Sequence, residues 1–356
     1  MTDVLSPVEP TPPDASESFA IRRGPLESAQ HLLHRFPVVS PATVLLLAFI
    51  VFGFLNTKTC GPRSCGAAFR SATTVGTMLQ ATAVMATLAV GQTLVILTAG
   101  VDLSVGASMI LVHLIVAKLV ADQGFPGLLA LIIGAMAGML LGAFHGFLVT
   151  KVALPPFIIT LGTFYMFQSA GLIYSKAQTV PEKNIQGILT WTGKPIKVLG
   201  LPINYGVLVA LLLYGVMAYV LANTAWGRHV YATGNDKEAA RLAGIDVNRV
   251  LLSVYIVAGL VYAIGGWVQI GRSLSASSNA ATDVNLESIT AVVIGGTSVF
   301  GGRGRIMGTL IGAGIVAVFD KGLSLWGIDP QWKNFAIGAL ILVAVALDQW
   351  IRRVGK

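Results

Sequence analysis

The sequence predicts an all-α polytopic membrane protein, with about ten transmembrane helices and one short cytoplasmic helix. Three observations carry this. Only 11% of the 356 residues are charged and 54% are hydrophobic, whereas roughly 25% of a soluble domain is charged. The mean hydropathy is +0.76. The apolar residues fall in long runs, many near the roughly twenty residues that cross a bilayer. Forty glycines fit the same class, because glycine is commoner in membrane helices than in soluble ones.

The elements follow in order. Residues 1–36 contain "SPVEPTPPDASES", which is Pro-rich and acidic with little to bury. This predicts a disordered cytoplasmic tail. It lacks the basic start and short apolar stretch of a cleaved signal peptide. Arg22, Arg23 and Arg35 precede the first apolar run, as suits a retained first span. Residues 37–356 then form the transmembrane domain. Candidate spans lie near 38–56, 74–98, 104–121, 126–149, 156–175, 203–223, 250–270, 284–300, 306–322 and 332–350. Glycines break the runs around 284–322.

An even number of spans puts both termini on one side. Arg352, Arg353 and Lys356 then lie with Arg228, Lys237, Arg241 and Arg249 of the 224–249 loop. The opposite side carries Lys58, Arg63, Arg70, Lys176, Lys183, Lys194 and Lys197. The two sides are therefore nearly balanced under the positive-inside rule. "TLVILTAGVDLSVG" (Thr93–Gly106) and "TAVVIGGTSVFGG" (Thr290–Gly302) share one shape: apolar run, glycine break, small polar residues. They fall at different span numbers in the two halves. Cys60 and Cys65 form either a small disulfide loop or two free thiols, and their spacing is not the CxxC of a metal or redox site.

Several function classes drop out. The net charge of +8 is explained by basic residues at span ends and anionic lipid. No basic run with interleaved aromatics supports a nucleic-acid partner. No zinc spacing and no GxSxG elbow occur, so neither a metal nor a catalytic residue is expected. Gly296 and Gly301 imitate the spacing of a phosphate-binding loop, but Gly302 and Arg303 follow where Lys and Ser or Thr are required. These glycines, with Gly308, Gly312 and Gly314, instead permit close helix approach.

Two polar features stand out. "ATGNDKEAARLAGIDVNRV" (Ala232–Val250) is a charged island between two apolar runs. "KEAARLAG" is built of helix formers and stops at Gly244, with Asn235 or Asp236 available as a cap. Asp102 ends a long apolar run between Gly100 and Gly106. A carboxylate at that depth either caps the next helix or faces a cavity or partner.

Glu238-Ala239-Ala240, followed after three residues by Gly244, resembles the "EAA…G" loop of ABC importer permeases. "GQTLVILTAGVDLSVGA" (Gly91–Ala107), "LPPFIITLG" (Leu154–Gly162) and "ESITAVVIGGTSVFGGRGRIMGTLIGA" (Glu287–Ala313) are similar to the branch importing ribose, arabinose, xylose or fructose. "NTAWGRHVYATG" (Asn223–Gly234) and the stretch from Gly327 to Val354 look closest to fructose-type permeases. The resemblance covers about Ala42 to Arg353. His145 departs from it, standing where the family usually has Asn or another small polar residue.

The resemblance implies a multi-pass subunit of a bacterial plasma (inner) membrane. Glu238, Ala239, Ala240, Arg241 and Gly244 would form a coupling helix seated on a P-loop ATPase subunit. ATP and Mg would bind that partner, with no cofactor in this chain. A second permease subunit, as a homodimer, and an extracytoplasmic sugar-binding protein complete the system. A neutral sugar calls for an uncharged path, with Gln92, Thr93, Ser104, Thr160 and Gln168 as candidates and Asp102 close by. The alternative is an ion-coupled secondary sugar transporter, which would draw on Asp102, Asp320, His113 and His145.

Overall fold

The apolar runs do become helices. A computed structural model describes residues 39–54, 65–280 and 284–329, together with scattered positions between 331 and 346. The expected tail at 1–36, Cys60 and most of the expected span at 332–350 lie outside the described residues. The helices are α1 (Val39–Phe54), α2 (Cys65–Phe69), α3 (Ala72–Leu97), α4 (Val105–Ala121), α5 (Gly127–Phe147) and α6 (Pro156–Ser175). They continue as α7 (Tyr205–Asn223), α8 (Ala225–Asn235), α9 (Lys237–Leu242), α10 (Val247–Ser273), α11 (Val284–Ile294) and α12 (Ile306–Leu325). A π-helical turn at Leu148–Val152 extends α5.

Among the described residues, six helices are long and apolar enough to cross a bilayer, where the sequence predicts about ten spans. They are α3, α5 with its extension, α6, α7, α10 and α12. The other apolar helices, α1, α4 and α11, are shorter. The difference is sharpest at 284–300, where α11 has only 11 residues. At 1.5 Å per residue it covers about 16 Å, half a bilayer core. The chain leaves the helix at Gly295-Gly296, and Gly296 takes a positive φ of 84°.

The core follows from which helix is buried all round. Every residue of α3 from Ala83 to Leu97 is buried, so α3 is the central rod. α10 packs beside it, with Gly265 against Leu88 and Gly91 against Tyr262. α5 closes on α10 through a stripe of small residues. A Cβ on Gly138 or Gly142 would run into the backbone oxygens of Gly259 or Tyr255. The opposite stripe of α5, Leu128, Ile132, Met136 and Leu140, is exposed. Without a hydrophobic drive between helices in lipid, backbone proximity supplies dispersion contacts, so glycine faces inward and leucine outward. The same device joins α11 to α12, where Gly308 abuts Gly295 and Gly312 abuts Ala291, as the sequence predicts; Gly314 faces Leu45 of α1 instead.

The 176–204 segment and the 224–249 island lie at opposite ends of α7. The first holds β1 (Val180–Pro181), which pairs with β4 (Ser275–Ala276), and the hairpin of β2 (Pro195–Val198) with β3 (Leu201–Asn204). Trp191 stacks between Tyr205 and Trp267 at that end, with ring centroids 4.5 and 5.8 Å away.

Replacing Gly138 with Leu should separate α5 from α10 and lower the melting temperature of the purified protein in detergent. Overpacking of this kind costs about 1–3 kcal/mol. Met136→Leu, two residues earlier on the exposed stripe, should leave the melting temperature unchanged.

Candidate functional site

Two interrupted segments meet at the island end of the bundle. After α3 the chain breaks at Thr98–Ser104, with Ala99 at φ 59°. After α11 it breaks at Gly295–Arg305, with Gly301 and Gly302 at φ 81° and 70°. Both breaks leave backbone groups without helical partners, and they satisfy one another. Gly302 N donates to Leu97 O at 2.9 Å. One turn below, Thr93 Oγ1 and Thr309 Oγ1 share a hydrogen bond of 2.9 Å. The two segments with one shape in the sequence are therefore neighbours in space.

A third element locks onto them. A Cβ on Gly234, in the last turn of α8, would run into Leu97 O, and one on Gly302 would come 2.6 Å from Asn235 Cα. Tyr231 Oη donates to Gly304 O at 2.9 Å. Burial pushes the Tyr231 phenol above its ordinary value, while the Arg305 charge pulls it back. Since its ordinary value is near 10, the hydroxyl stays protonated at neutral pH and remains a donor. Trp226 Nε1, at the start of α8, donates to Ser253 Oγ of α10 at 2.8 Å.

The island is thus two helices, where the sequence predicts one. Thr224 caps α8 by accepting from Gly227 N at 3.1 Å. Asp236 ends α8 in an extended conformation and caps α9, accepting from Glu238 N and Ala239 N at 2.9 and 3.0 Å. Gly244 follows at φ 83°, where a side chain would be strained. Ala240 is only 4% exposed and packs with Val247 and Leu251, so its small size serves this chain's own packing. Glu238 and Arg241, three residues apart on one face, pair with each other at 2.6 Å. The feature missed in the sequence is Leu242, 91% exposed at the end of α9. A lone large apolar residue in "KEAARLAG" was its only signal.

Asp102 is fully buried and does two things at once. Its Oδ1 accepts from Ser104 N and Ser104 Oγ at 2.8 and 2.7 Å, shaping the start of α4. Its Oδ2 accepts from Tyr262 Oη at 3.0 Å, joining α10 to the break. Ser104 Oγ lies 3.4 Å from His145 Nε2, which bonds Thr163 Oγ1 at 2.7 Å. His145 is therefore an interhelical hydrogen-bonding residue. Thr160 Oγ1 donates to Val101 O at 3.0 Å, satisfying another broken-helix carbonyl. Gly106 N donates to Asn285 Oδ1.

Of the expected path residues, the structure gathers Thr93, Asp102, Ser104 and Thr160 around the breaks. Gln92 is fully buried on α3, and its amide atoms have no hydrogen-bond partner among the described residues. Gln168 sits half-buried on α6, apart from this network. His113 Nε2 accepts from Ser277 N at 3.2 Å, away from the breaks. No group of three or more His, Cys, Asp or Glu able to hold a metal occurs among the described residues.

Residues 74–345 match the family described as branched-chain amino acid transport system, permease component. The chain belongs to this permease family. A fructose import permease protein of Rhizobium meliloti is 47% identical over 332 residues, covering 92% of this chain and 90% of that protein. A ribose import permease protein of Bacillus subtilis is 36% identical, covering 76% and 83%. The D-allose transport system permease protein of Escherichia coli is 35% identical, covering 75% and 80%. This chain is thus a multi-pass membrane permease, and like these relatives it is a transport component and not an enzyme.

In this permease, Tyr262→Phe should leave one oxygen of a fully buried carboxyl without its donor. The expected cost is about 1–3 kcal/mol, seen as a lowered melting temperature. Tyr219→Phe, on a residue 66% exposed on α7, should have no such effect.

Proposed function

We propose that this chain is the transmembrane permease subunit of an ATP-driven ABC importer for a monosaccharide. Its relatives are named for fructose, ribose and allose import or transport, which supports a neutral sugar as cargo. The single observation that carries the mechanism is the junction of α8 with both breaks. A surface helix whose last turn touches Leu97 and Gly302 cannot move without moving those segments. In this reading α9 is the coupling helix, on the cytoplasmic face, seated in a P-loop ATPase subunit. ATP and Mg bind that partner. An extracytoplasmic sugar-binding protein delivers cargo at the 176–204 end. A second copy of this chain completes the pathway across the bilayer, each with about ten spans and a disordered tail at 1–36.

The residues divide their roles. Asp236 and Gly244 fix the two ends of α9. Glu238, Ala239 and Arg241 present its outer face to the ATPase, and Ala240 seats it on α10. The exposed Glu238–Arg241 pair contributes little by itself, at most about 1 kcal/mol. Leu242 is the apolar anchor. An apolar side chain exposed at the tip of a polar helix gains most by burial in a partner's groove. Gln92, Thr93, Asp102, Ser104, Thr160 and Gln168 stay the candidate path residues, all but Gln168 lying near the breaks that α8 grips.

The test uses the assembled complex. Leu242→Glu touches nothing inside the permease, so the subunit should insert and melt as the unaltered chain does. It should fail to retain the ATPase in a pull-down and lose ATP-driven sugar uptake. Gly244→Val should act in the same direction through backbone strain of about 1–2 kcal/mol. A Leu242→Glu permease that holds the ATPase and imports sugar at the unaltered rate would remove α9 from the coupling role. Uptake that follows an imposed proton gradient, with no ATPase present, would favour the ion-coupled alternative.

A further inference from the structure

A polar cavity of about 280 Å³ opens in the half of the bundle away from the island. Among the described residues its charged and polar lining is Arg272, Glu287, Asp320, Asn279 and Thr82. Its apolar walls include Ala81 and Val316. These residues come from α3, α10, α11, α12 and the segment that joins α10 to α11. None of the path residues expected from the sequence lines it, and its character is charged where an uncharged path was expected.

The position follows from the elements. Arg272 is in the last turn of α10, beside β4, which pairs with β1 of the 176–204 segment. Asp320 lies fourteen residues beyond Ile306, the first residue of α12, a rise of about 21 Å away from the break. Glu287 is in the first turn of α11. Residues 277–280, after β4, are tied to the bundle, with Ser277 N donating to His113 Nε2 and Ala280 O accepting from Gln269 Nε2. Three ionisable side chains therefore line one opening, Arg272 exposed at the end of α10 and Glu287 and Asp320 half-buried on α11 and α12, and a carboxylate on an apolar membrane helix tends to face a cavity or a partner.

We propose that this cavity is the permease's own binding site for an unphosphorylated, neutral monosaccharide, with Glu287 and Asp320 accepting its hydroxyl protons and Arg272 donating to its oxygens. The inference rests on the importer reading and names where the cargo is held. The volume is at the small end of ligand clefts, which run roughly 300–1,000 Å³, and it suits one small solute. A sugar is rich in hydroxyls, and hydrogen bonds from a hydroxyl to a carboxylate are shorter and stronger than neutral ones. Both acidic residues also hold interactions within the chain. A carboxylate has about four acceptor sites, so capacity remains for ligand hydroxyls. A phosphate ionised at neutral pH has no proton to give Glu287 or Asp320, whereas each sugar hydroxyl has one, so a neutral sugar fits this lining better than a sugar phosphate. The apolar walls on α3 and α12 face the C–H surface of the ring.

The complex of permease and ATPase, reconstituted in proteoliposomes, tests this directly. Cys60 and Cys65 are replaced by Ser, and Ala81→Cys places a thiol on the cavity wall. Fructose, ribose and allose are each tested for protection of that thiol against an impermeant maleimide. At least one should slow labelling several-fold, and fructose 6-phosphate should not. Glu287→Gln and Asp320→Asn should each abolish protection and lower ATP-driven uptake roughly tenfold or more, the loss expected for one charge-assisted hydrogen bond. Glu287→Asp should restore part of both, and all variants should still retain the ATPase in a pull-down. Protection unchanged in Glu287→Gln and Asp320→Asn, or equal protection by the sugar phosphate, would overturn the site. Loss of ATPase retention together with protection would make the carboxyls structural and overturn it as well. If the unaltered complex imports none of the three sugars on ATP hydrolysis, the importer reading fails, and the protection result still scores the cavity separately.

Discussion

The constraint on which the structure depends is that a backbone N–H or C=O at membrane depth must find a partner inside the protein. Unbroken helices meet it by themselves. The chain leaves helical geometry after Leu97 and again after Ile294. Each break frees carbonyl and amide groups that helical bonding no longer satisfies. The solution is mutual: Gly302 N bonds Leu97 O, Thr160 Oγ1 bonds Val101 O, Tyr231 Oη bonds Gly304 O, and Asn285 accepts from Gly106 N. Every one of these partners is far away in sequence. The breaks therefore hold several helices in one arrangement, and a change at one break is felt at the other.

That arrangement gives the surface island its mechanical meaning. A polar helix on a membrane protein is ordinarily a solvated connection. Here the last turn of α8 is pressed against the backbone of both breaks, and α9 begins at the next residue, capped by Asp236. Under the coupling role proposed for α9, a force on it would pass through those backbone contacts. At the opposite end the chain spends its polar residues differently. Arg272, Glu287 and Asp320 gather around a cavity, whereas Asp102 is fully buried and bound to Tyr262 and Ser104. Charge near the breaks serves architecture, and the charged side chains around the cavity are those we propose to meet a solute.

Much of this was legible before any coordinates. The apolar runs marked most helices to within a few residues, since hydropathy over a twenty-residue window is a local property. α9 was readable for the same reason, because a capping Asp, a run of helix formers and a terminating glycine act over only a few residues. The stripe Gly134, Gly138, Gly142 and Gly146 is also present in the sequence, and its regular spacing on one face is the signal for close helix packing. The span expected at 284–300 appears as an 11-residue helix because Gly295-Gly296 ends it, which hydropathy does not register.

The sequence alone determined that this chain lives in a membrane and that it carries a capped polar helix between two apolar runs. These follow from composition and from interactions among near neighbours. The tertiary structure alone decided that Ala240 is buried while Leu242 is exposed, that Glu238 and Arg241 pair, and that Asp102 bonds a tyrosine 160 residues away. It also decided which acidic residues share a cavity with Arg272. Such facts depend on which helix faces meet, and in lipid those faces are chosen by small residues and isolated polar groups whose partners are set only when the bundle closes.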